Sequence, residues 1–283
     1  MDGTIFDNIR KMKKYKKVLT IAGSDSGGGA GIQADIKTIS ALGYYGTTVI
    51  TAITAQNTLG VNAIHPVPVN IVEKQLYAVL SDIGTDAVKI GMLHSVEIIK
   101  TVSKALIEFQ VKNIVLDPVM VATSGDKLIE DNTIDALINF LFPLADIITP
   151  NLPEANILVN YNITTKDQMI ESAKKLLKFG SKSVLLKGGH LKGDILFDIY
   201  VQKNEKNEVK VFENKRIFTR NIHGTGCTLS SAIASFLACE GKMEISVEKA
   251  IDYLNKTIQH GKNYKTGEGS GPVNHFFNPK VPE

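Results

Sequence analysis

The sequence predicts an α/β protein built on a mostly parallel central sheet, with an antiparallel hairpin at one edge. Short apolar runs typical of strands alternate with stretches of helical periodicity from Val18 to Lys187. Such alternation normally produces parallel strands joined by right-handed crossovers. After Lys187 the pattern changes, because two strand-like runs follow each other with only the polar stretch 202–208 between them. That change predicts the edge hairpin.

The predicted elements follow from apolar spacing and from the glycine, proline and polar residues that end each run. The predicted strands are residues 18–22, 47–54, 87–90, 114–116, 147–149, 183–187, 195–201 and 209–212. The predicted helices are residues 32–42, 69–83, 95–109, 133–142 and 165–179, one that follows the glycine turn at 224–226, and 246–264. Thr165 and Gln168 have the spacing of a capping box. No internal repeat or linker is visible, so we expect a single domain over residues 18–283.

Composition and charge limit the function classes. The 283 residues are 43% hydrophobic and 22% charged, and the net charge of +3 comes largely from the basic run 10–17. We expect residues 1–17 to be a poorly ordered extension. A basic run of this kind is by itself only a weak indication of nucleic-acid binding. No apolar stretch fits a signal peptide or a membrane helix, so neither export nor membrane insertion is expected. Cys227 and Cys239 would lie about 18 Å apart on a continuous helix, too far for a disulfide, which favours a cytoplasmic protein with reduced thiols.

The stretch around Gly224, Thr225, Gly226 and Cys227 predicts an anion site. Its two glycines allow a tight turn, and the helix that follows presents free N–H groups and a positive dipole end to a phosphate. A thiol in that first turn is expected to have a lowered pKa. From position alone, the interpretation of Cys227 as a small buried apolar residue is equally compatible.

Two familiar nucleotide motifs are not supported. The loop after the first strand matches a dinucleotide fingerprint at Gly29, Gly31 and Ala34. That fingerprint needs an acidic residue about 20 positions later, yet none lies between Ile36 and Val72. A P-loop motif is also missing from the sequence, so a phosphate must be held elsewhere, and the turn before Cys227 offers a place.

Further candidates follow the predicted strands, where ligands of parallel α/β sheets bind. Asp117 and Glu154 are candidate magnesium ligands, and each is also compatible with a structural role in a turn or at a helix start. Lys187 is a candidate phosphate partner or a solvated lysine. Gln56 carries an amide suited to an aminopyrimidine edge, or to capping a turn.

Eight sequence blocks together resemble one enzyme family over about residues 18–277. They are VLTIAGSDSGGGAGIQAD (18–35), AITAQNTLG (52–60), KIGML (89–93), LDPVM (116–120), TPNLPE (149–154), LKGGH (186–190), HGTGCTL (223–229) and GSGPVNHF (269–276). In order, they are similar to the hydroxymethylpyrimidine/phosphomethylpyrimidine kinases of thiamine biosynthesis, in the ribokinase superfamily. The resemblance implies a ribokinase-like three-layer α/β/α fold, phosphorylation of the pyrimidine and of its monophosphate by ATP with Mg²⁺, and a homodimer.

The resemblance also implies residue roles. Catalysis would fall to Cys227 and to the anion hole of Gly224, Thr225 and Gly226, although the superfamily usually has aspartate where this chain has cysteine. The implied pyrimidine contacts are Gln56, Gly23, Asp35, Met92 and Val119; the implied nucleotide and magnesium contacts are Lys187, Gly188, Asn151, Glu154 and Asp117. No matching segment is implied for residues 1–17.

Two alternatives remain at this point. A pyridoxal kinase shares the Gly-x-Gly-Cys turn and phosphorylates a similar hydroxymethyl group, but the Ala-Gln-Asn sequence at Gln56 favours the pyrimidine. A nucleotide-sensing module without catalysis is the second alternative. The presence of Glu154, Lys187 and Cys227 together argues against it.

Overall fold

A computed structural model describes residues 13–120, 130–204 and 208–282. Its strands form one nine-stranded sheet in the order β3-β2-β1-β4-β5-β6-β7-β8-β9. In chain order the strands are β1 Lys17–Asp25, β2 Tyr45–Asn57, β3 Gly60–Pro66, β4 Ala87–Ile90, β5 Ile114–Leu116, β6 Ile147–Ile148, β7 Ser183–Leu186, β8 Ile195–Gln202 and β9 Val209–Lys215.

The sheet is parallel in its centre and antiparallel at both edges. Strand β1 pairs in parallel with β2 on one side and with β4 on the other. Strands β4 to β7 continue in parallel, whereas β3 and the β8–β9 hairpin pair antiparallel. The strand order therefore runs outward from β1 on one side through β2 and on the other through β4. Ligands of such sheets bind where the strand order reverses, beyond the carboxyl ends of the strands.

Helices cover both faces of the sheet. They are α1 Gly31–Ala41, α2 Val69–Ala78, α3 Val96–Glu108, α4 Asp131–Ala136, α5 Leu152–Val159, α6 Lys166–Leu176, α7 Thr225–Glu240 and α8 Met243–Gly261. Short π-helical turns extend α2 over Val79–Ile83 and α4 over Leu137–Leu141. One apolar cluster packs α2 to α6 on one face, and a second packs α1, α7 and α8 on the other. The predicted three-layer α/β/α fold is confirmed.

Successive strand residues enter opposite clusters, which explains the continuous apolar runs in the sequence. Val88 and Ile90 pack under α2 to α6, whereas Ala87 packs under α1, α7 and α8. A strand buried on both faces is made mostly of apolar residues. The predictions at 87–90 and 114–116 match β4 and β5, and the predicted edge hairpin is present as β8 and β9.

Capping boxes fix the starts of two helices. The side chain of Thr165 accepts from the Gln168 N–H, and Gln168 returns the bond, so the predicted capping box of α6 is confirmed. Asn151 and Glu154 form the same reciprocal box at the start of α5. That short helix was absent from the predicted elements.

Strand β3 was also missed by the sequence prediction. Every residue of Gly60–Pro66 is exposed, so the segment lacks the apolar alternation that marks a half-buried strand. It is held by its ladder with β2, which includes the pairs Thr54 with Ile64 and Asn57 with Gly60. Of the predicted extension, residues 1–12 lie outside the described residues. Among the helices described, none has the length and apolar character needed to cross a membrane.

Candidate active site

A buried ion pair lies at the carboxyl ends of β5 and β7. The Lys187 Nζ lies 2.8 Å from Asp117 Oδ1, and the Thr149 hydroxyl donates to the same oxygen at 3.0 Å. Burial opposes ionisation of Asp117, but the positive charges of Lys187 and Lys89 outweigh it and hold its pKa below the ordinary value. The carboxylates of Asp117 and Glu154 in turn raise the pKa of Lys187, although burial works against them. Both members of the pair are therefore charged, and the interpretation of Lys187 as merely solvated is wrong.

Glu154 and Asn151 lie beside this pair. Glu154 Oε2 accepts the N–H of Asn151 at 2.8 Å, and Asn151 Oδ1 accepts the N–H of Glu154 at 2.9 Å. Burial raises the pKa of Glu154 to about 7, against the opposing charge of Lys187 and with a contribution from Asp117. Asn151 forms a β-bridge with Lys187, whose backbone N–H donates to the Pro150 carbonyl, so the start of α5 is joined to the end of β7.

The glycine turn meets this ion pair. A Cβ on Gly226 would lie 3.3 Å from Lys187 Nζ and 3.4 Å from Asp117 Oδ2, so the turn passes directly over the two charges. Gly224 has a φ of 80°, and a side chain there would collide with the Gly29 carbonyl at 1.8 Å. Thr225 donates its N–H to the Ile222 carbonyl. Gly226 and Cys227 lie in the first turn of α7. The N–H groups of a first helical turn have no acceptor within the helix and can bind an outside acceptor such as a phosphate.

Gly188 continues β7 into the neighbouring loop. Its N–H donates to Asp198 Oδ1 at 2.9 Å, and a Cβ there would lie 1.9 Å from the Phe197 carbonyl oxygen. The guanidinium of Arg216 donates to the carbonyls of Gly189 and Gly193, which holds the loop after Gly188 on β9. The structure thus brings the predicted nucleotide residues Asn151, Lys187 and Gly188 to one edge of the sheet.

The expected low pKa of Cys227 is wrong. Cys227 is partly buried, and burial raises the pKa of its thiol to about 11. Lys89 and an N–H bond from Gly31 act in the opposite direction and are outweighed, while the carboxylates of Asp35 and Asp117 add to the increase. The position of Cys227 in the first turn of α7 indicated only that the helix end stabilises a thiolate. The cost of placing a thiolate away from water is the larger effect here.

Asp35 lies beneath the site and not on its open side. Its carboxylate is completely buried and receives Lys89 Nζ at 2.9 and 2.8 Å on its two oxygens. The hydroxyls of Thr20 and Ser231 also donate to it, each at 2.6 Å. The implied contact of Asp35 with the pyrimidine is therefore not supported by this structure. Its visible role is to join β1, α1, β4 and α7 under Cys227.

The other predicted pyrimidine contacts lie at the ends of β1, β2, β4 and β5. A Cβ on Gly23 would lie 2.7 Å from the Met92 methyl carbon, so these two residues are in direct contact. The side-chain amide of Gln56 lies between Thr54, whose hydroxyl oxygen is 3.2 Å from Oε1, and His223, whose Nε2 is 3.4 Å from the Gln56 Nε2. Val119 follows Asp117, to whose carbonyl its N–H donates, and it is partly exposed.

Sequence reasoning missed two residues that connect these groups. Asp25 accepts the N–H groups of Gly27, Gly29 and Ala30 at 2.8, 3.0 and 2.8 Å, and His223 Nε2 lies 3.0 Å from its Oδ2. Burial opposes ionisation of Asp25, but the bonds from His223 and the loop amides hold its pKa below the usual value. The signal was available, because Asp25 stands in the first glycine loop and His223 directly precedes the second.

The donor groups fit a magnesium ion only in part. Mg²⁺ usually binds through one or two carboxylates while keeping waters and phosphate oxygens. Glu154 is a buried carboxyl with a raised pKa, and a cation near it would favour its charged form. Asp117 Oδ1 already receives Lys187 and Thr149. Among the described residues no group of three or more acidic, histidine or cysteine side chains is arranged to hold a metal ion, so a magnesium ion here would depend on Glu154 and on the nucleotide phosphates.

Comparison with known proteins identifies the family. The family model of phosphomethylpyrimidine kinase matches residues 25–274. The chain belongs to this family. It is 48% identical over 259 residues to the hydroxymethylpyrimidine/phosphomethylpyrimidine kinase of Rhizobium meliloti, with 91% of this chain and 96% of that protein covered.

Some relatives of the family are longer. The bifunctional thiamine biosynthesis protein ThiED of Geobacter sulfurreducens is 48% identical over 264 residues, which are 92% of this chain and 52% of that protein. A probable thiamine biosynthetic bifunctional enzyme of rice is covered to 49%. The chain thus spans about half the length of these bifunctional relatives.

Solved structures of family relatives have the same fold. The phosphomethylpyrimidine kinase of Clostridium difficile superposes with a TM-score of 0.76 at 46% identity, covering 86% of this chain and 99% of that chain. The pyridoxal kinase of Bacillus subtilis in complex with ADP gives a TM-score of 0.85 at 36% identity, covering 93% and 98%. Phosphomethylpyrimidine kinases and pyridoxal kinases are thus both structural neighbours of this family member.

Proposed function

We propose that this chain transfers a phosphoryl group from ATP to the hydroxymethyl group of 4-amino-5-hydroxymethyl-2-methylpyrimidine, and then to the resulting monophosphate, in thiamine biosynthesis. The observation that carries the proposal is the position of the glycine turn. Gly226 lies over the Asp117 and Lys187 charges, while Gly224 contacts the Gly29 loop, next to which Gln56 lies. One helix end therefore faces both a phosphate-binding group and a ring-binding amide.

Each residue then has a defined task. The N–H groups of Gly226 and Cys227 stabilise the transferring phosphoryl group, and Gly224 and Thr225 form the turn that aims them. Lys187 neutralises phosphate charge from its position on Asp117. Gln56, with Gly23, Met92 and Val119 around it, receives the pyrimidine, and Cys227 lies at the acceptor hydroxyl. Mg²⁺ held through Glu154 would neutralise phosphate charge when bound.

Pyridoxal kinase activity is the second candidate. It is favoured by the TM-score of 0.85 to the Bacillus subtilis pyridoxal kinase. Against it, Gln56 offers a donor and an acceptor on one planar group, which matches the edge of an aminopyrimidine. Incubation with Mg-ATP and, separately, the hydroxymethylpyrimidine, its monophosphate and pyridoxal tests the choice. We expect the highest kcat/KM for the pyrimidines, and a higher value for pyridoxal would overturn the proposal.

Gln56→Leu is expected to weaken pyrimidine binding by roughly 1–3 kcal/mol, because polar groups of the ring would be buried without partners. ATP binding should be unchanged, since the Gln56 amide contacts Thr54 and His223 and not the Lys187 region. Calorimetric titration of each ligand into the variant measures both affinities. Equal losses for ATP and pyrimidine would show that Gln56 acts only in the fold.

Glu154→Gln is expected to raise the magnesium concentration needed for half-maximal rate severalfold. Glutamine serves equally at this position of a capping box, so the start of α5 is preserved while the charge is removed. A magnesium titration of the initial rate measures the effect, and Glu171→Gln on exposed α6 surface is the matched control. An unchanged titration with normal turnover would remove Glu154 from the metal site.

Three further features belong to this proposal. We propose a homodimer, supported by the exposed apolar side chains of the β2–β3 edge, Ile53, Leu59, Val61 and Ile64, which are 46% to 74% exposed. Light scattering during gel filtration tests it. We propose the cytoplasm as the compartment, supported by the free thiols of Cys227 and Cys239. We also propose small-molecule partners only, without nucleic acid.

A further inference from the structure

His223 lies between the two halves of the candidate site without an assigned task. Its Nε2 is 3.0 Å from Asp25 Oδ2 and 3.4 Å from the side-chain nitrogen of Gln56. Its ring lies against the first glycine loop, because a Cβ on Gly29 would be 2.3 Å from His223 Cδ2. Its backbone N–H donates to the Gly271 carbonyl at 3.1 Å. The ring is thus held by Asp25 and by the first glycine loop, and the Gly271 bond holds the backbone of His223.

The Asp25 contact decides which ring nitrogen carries hydrogen. An unprotonated Nε2 facing a carboxylate oxygen at 3.0 Å would oppose lone pair to lone pair. Asp25 Oδ2 already accepts the N–H groups of Gly29 and Ala30 and has no proton to offer in its ionised form. His223 Nε2 must therefore be an N–H donor, and its single hydrogen is shared in a three-centre bond, with Asp25 Oδ2 at 3.0 Å as the nearer partner and the Gln56 amide at 3.4 Å as the farther one.

That donor decides the orientation of the Gln56 amide. A second N–H group cannot bond to the N–H of His223, so the amide carbonyl must face the histidine and the amide nitrogen must face Thr54. Thr54 is compatible with this orientation. Its hydroxyl donates its single hydrogen to the Ser24 carbonyl at 2.9 Å, so the hydroxyl oxygen can accept the N–H of Gln56. Every group in the chain from Asp25 to Ser24 then has a partner.

We propose that His223 is a specificity-determining residue that fixes the orientation of the Gln56 amide and thereby the hydrogen-bond pattern offered to the substrate ring. An amide has two N–H groups and two oxygen lone pairs. With Thr54 and His223 at its sides, one N–H and one lone pair remain for a ligand, in a fixed order. This inference rests on the proposed contact between Gln56 and the pyrimidine.

The consequence is selection between two ring edges. A 4-aminopyrimidine presents a ring-nitrogen acceptor beside an amino donor, whereas its 4-oxo analogue presents a ring N–H donor beside a carbonyl acceptor. A freely rotating amide would serve both edges by turning over. The amide held by His223 serves only the 4-amino compound, and the oxo compound would leave polar groups facing like groups.

The test compares kcat/KM for the 4-amino substrate and its 4-oxo analogue at saturating ATP. His223→Phe keeps a flat ring beside Gly29 and removes the N–H. We expect the preference for the amino compound to fall at least about tenfold, mainly through KM, with an unchanged KM for ATP. Thr54→Val removes the opposite partner with little change of shape, and we expect it to relax the preference as well. His65→Phe on exposed β3 is the matched control and should keep the wild-type preference.

A uniform loss of kcat on both compounds with an unchanged preference would overturn the inference, because His223 would then only brace two loops. If His223→Phe does not fold, Thr54→Val decides, and an unchanged preference there overturns the inference too. Gln56→Leu separates the two levels of the argument. If it loses pyrimidine affinity selectively while both other variants keep the preference, only the role of His223 fails; if it does not, the proposed ring contact fails first.

Discussion

The Lys89→Met variant is expected to lose about 3–5 kcal/mol of unfolding free energy, because it leaves the Asp35 carboxylate buried without its counter-charge. Lys89 and Asp35 are both 0% exposed, and two Nζ contacts of 2.9 and 2.8 Å join them. Thr20 and Ser231 would still donate to the carboxylate, but hydroxyls do not neutralise it. Urea unfolding followed by circular dichroism measures the loss.

Lys182→Met is the matched control. Lys182 pairs with Asp146 at 2.7 Å, but its side chain is 72% exposed. Exposed pairs of this kind contribute at most about 1 kcal/mol, so the control should stay close to wild type. A loss for Lys89→Met no larger than that of the control would show that water reaches Asp35 in solution.

Cys227→Ala is expected to lower kcat about 10²-fold, the low end of general-base catalysis, because phosphoryl transfer builds little charge on the attacking oxygen. The backbone N–H groups of Gly226 and Cys227 remain in the variant and continue to hold the phosphoryl group. Cys227→Ser is expected to resemble alanine, and Cys227→Asp to recover part of the rate. Single-turnover rates with the pyrimidine measure the step directly.

The pH dependence follows from the sign of the thiol shift. Because burial raises the pKa of Cys227 to about 11, the thiol is neutral at pH 7. As the pH rises toward 11, the thiolate fraction increases about tenfold with each pH unit. The wild-type rate should therefore rise between pH 7 and 9, and the rise should be absent in Cys227→Ala. Cys239→Ala, at the far end of α7, is the control. If Cys227→Ala keeps the wild-type rate at all pH values, the thiol contributes only to packing and not to catalysis.

The parts of the fold that follow from the sequence are those whose burial leaves a pattern. Strands β4 and β5 are short, fully buried and apolar except for Lys89, and they are flanked by turns, so their bounds were predicted residue for residue. Strand β3 has no buried face, and its position depends on backbone pairing with β2, which no residue pattern reveals. The π-helical turns after α2 and α4 also leave no sequence pattern of their own, because they keep the apolar spacing of the helices that they extend.

For the candidate site, residue types were predictable and their pairing was not. Asp117, Glu154 and Lys187 were identified at strand ends, but the choice between solvated and paired side chains depends on positions 70 residues apart in the chain. Lys89 received no role from the sequence, although it ranks with the most deeply buried side chains described. For Cys227 the helix end was visible and the surrounding burial was not, so the direction of its pKa shift was predicted wrongly.

The contacts that complete the site join opposite ends of the chain. Asp25 and His223 are 198 positions apart, Asp35 and Ser231 are 196 apart, and the Gly269 N–H donates to Thr58 across 211 positions. During synthesis all nine strands leave the ribosome before the turn at Gly224 and the segment around Gly269 that seats it. Closing such long loops adds an entropic cost that rises with the logarithm of their length. The proposed phosphoryl transfer therefore requires that synthesis has passed the segment around Gly269, and a chain cut short after β9 would contain the strands of the sheet without the glycine turn that completes the candidate site.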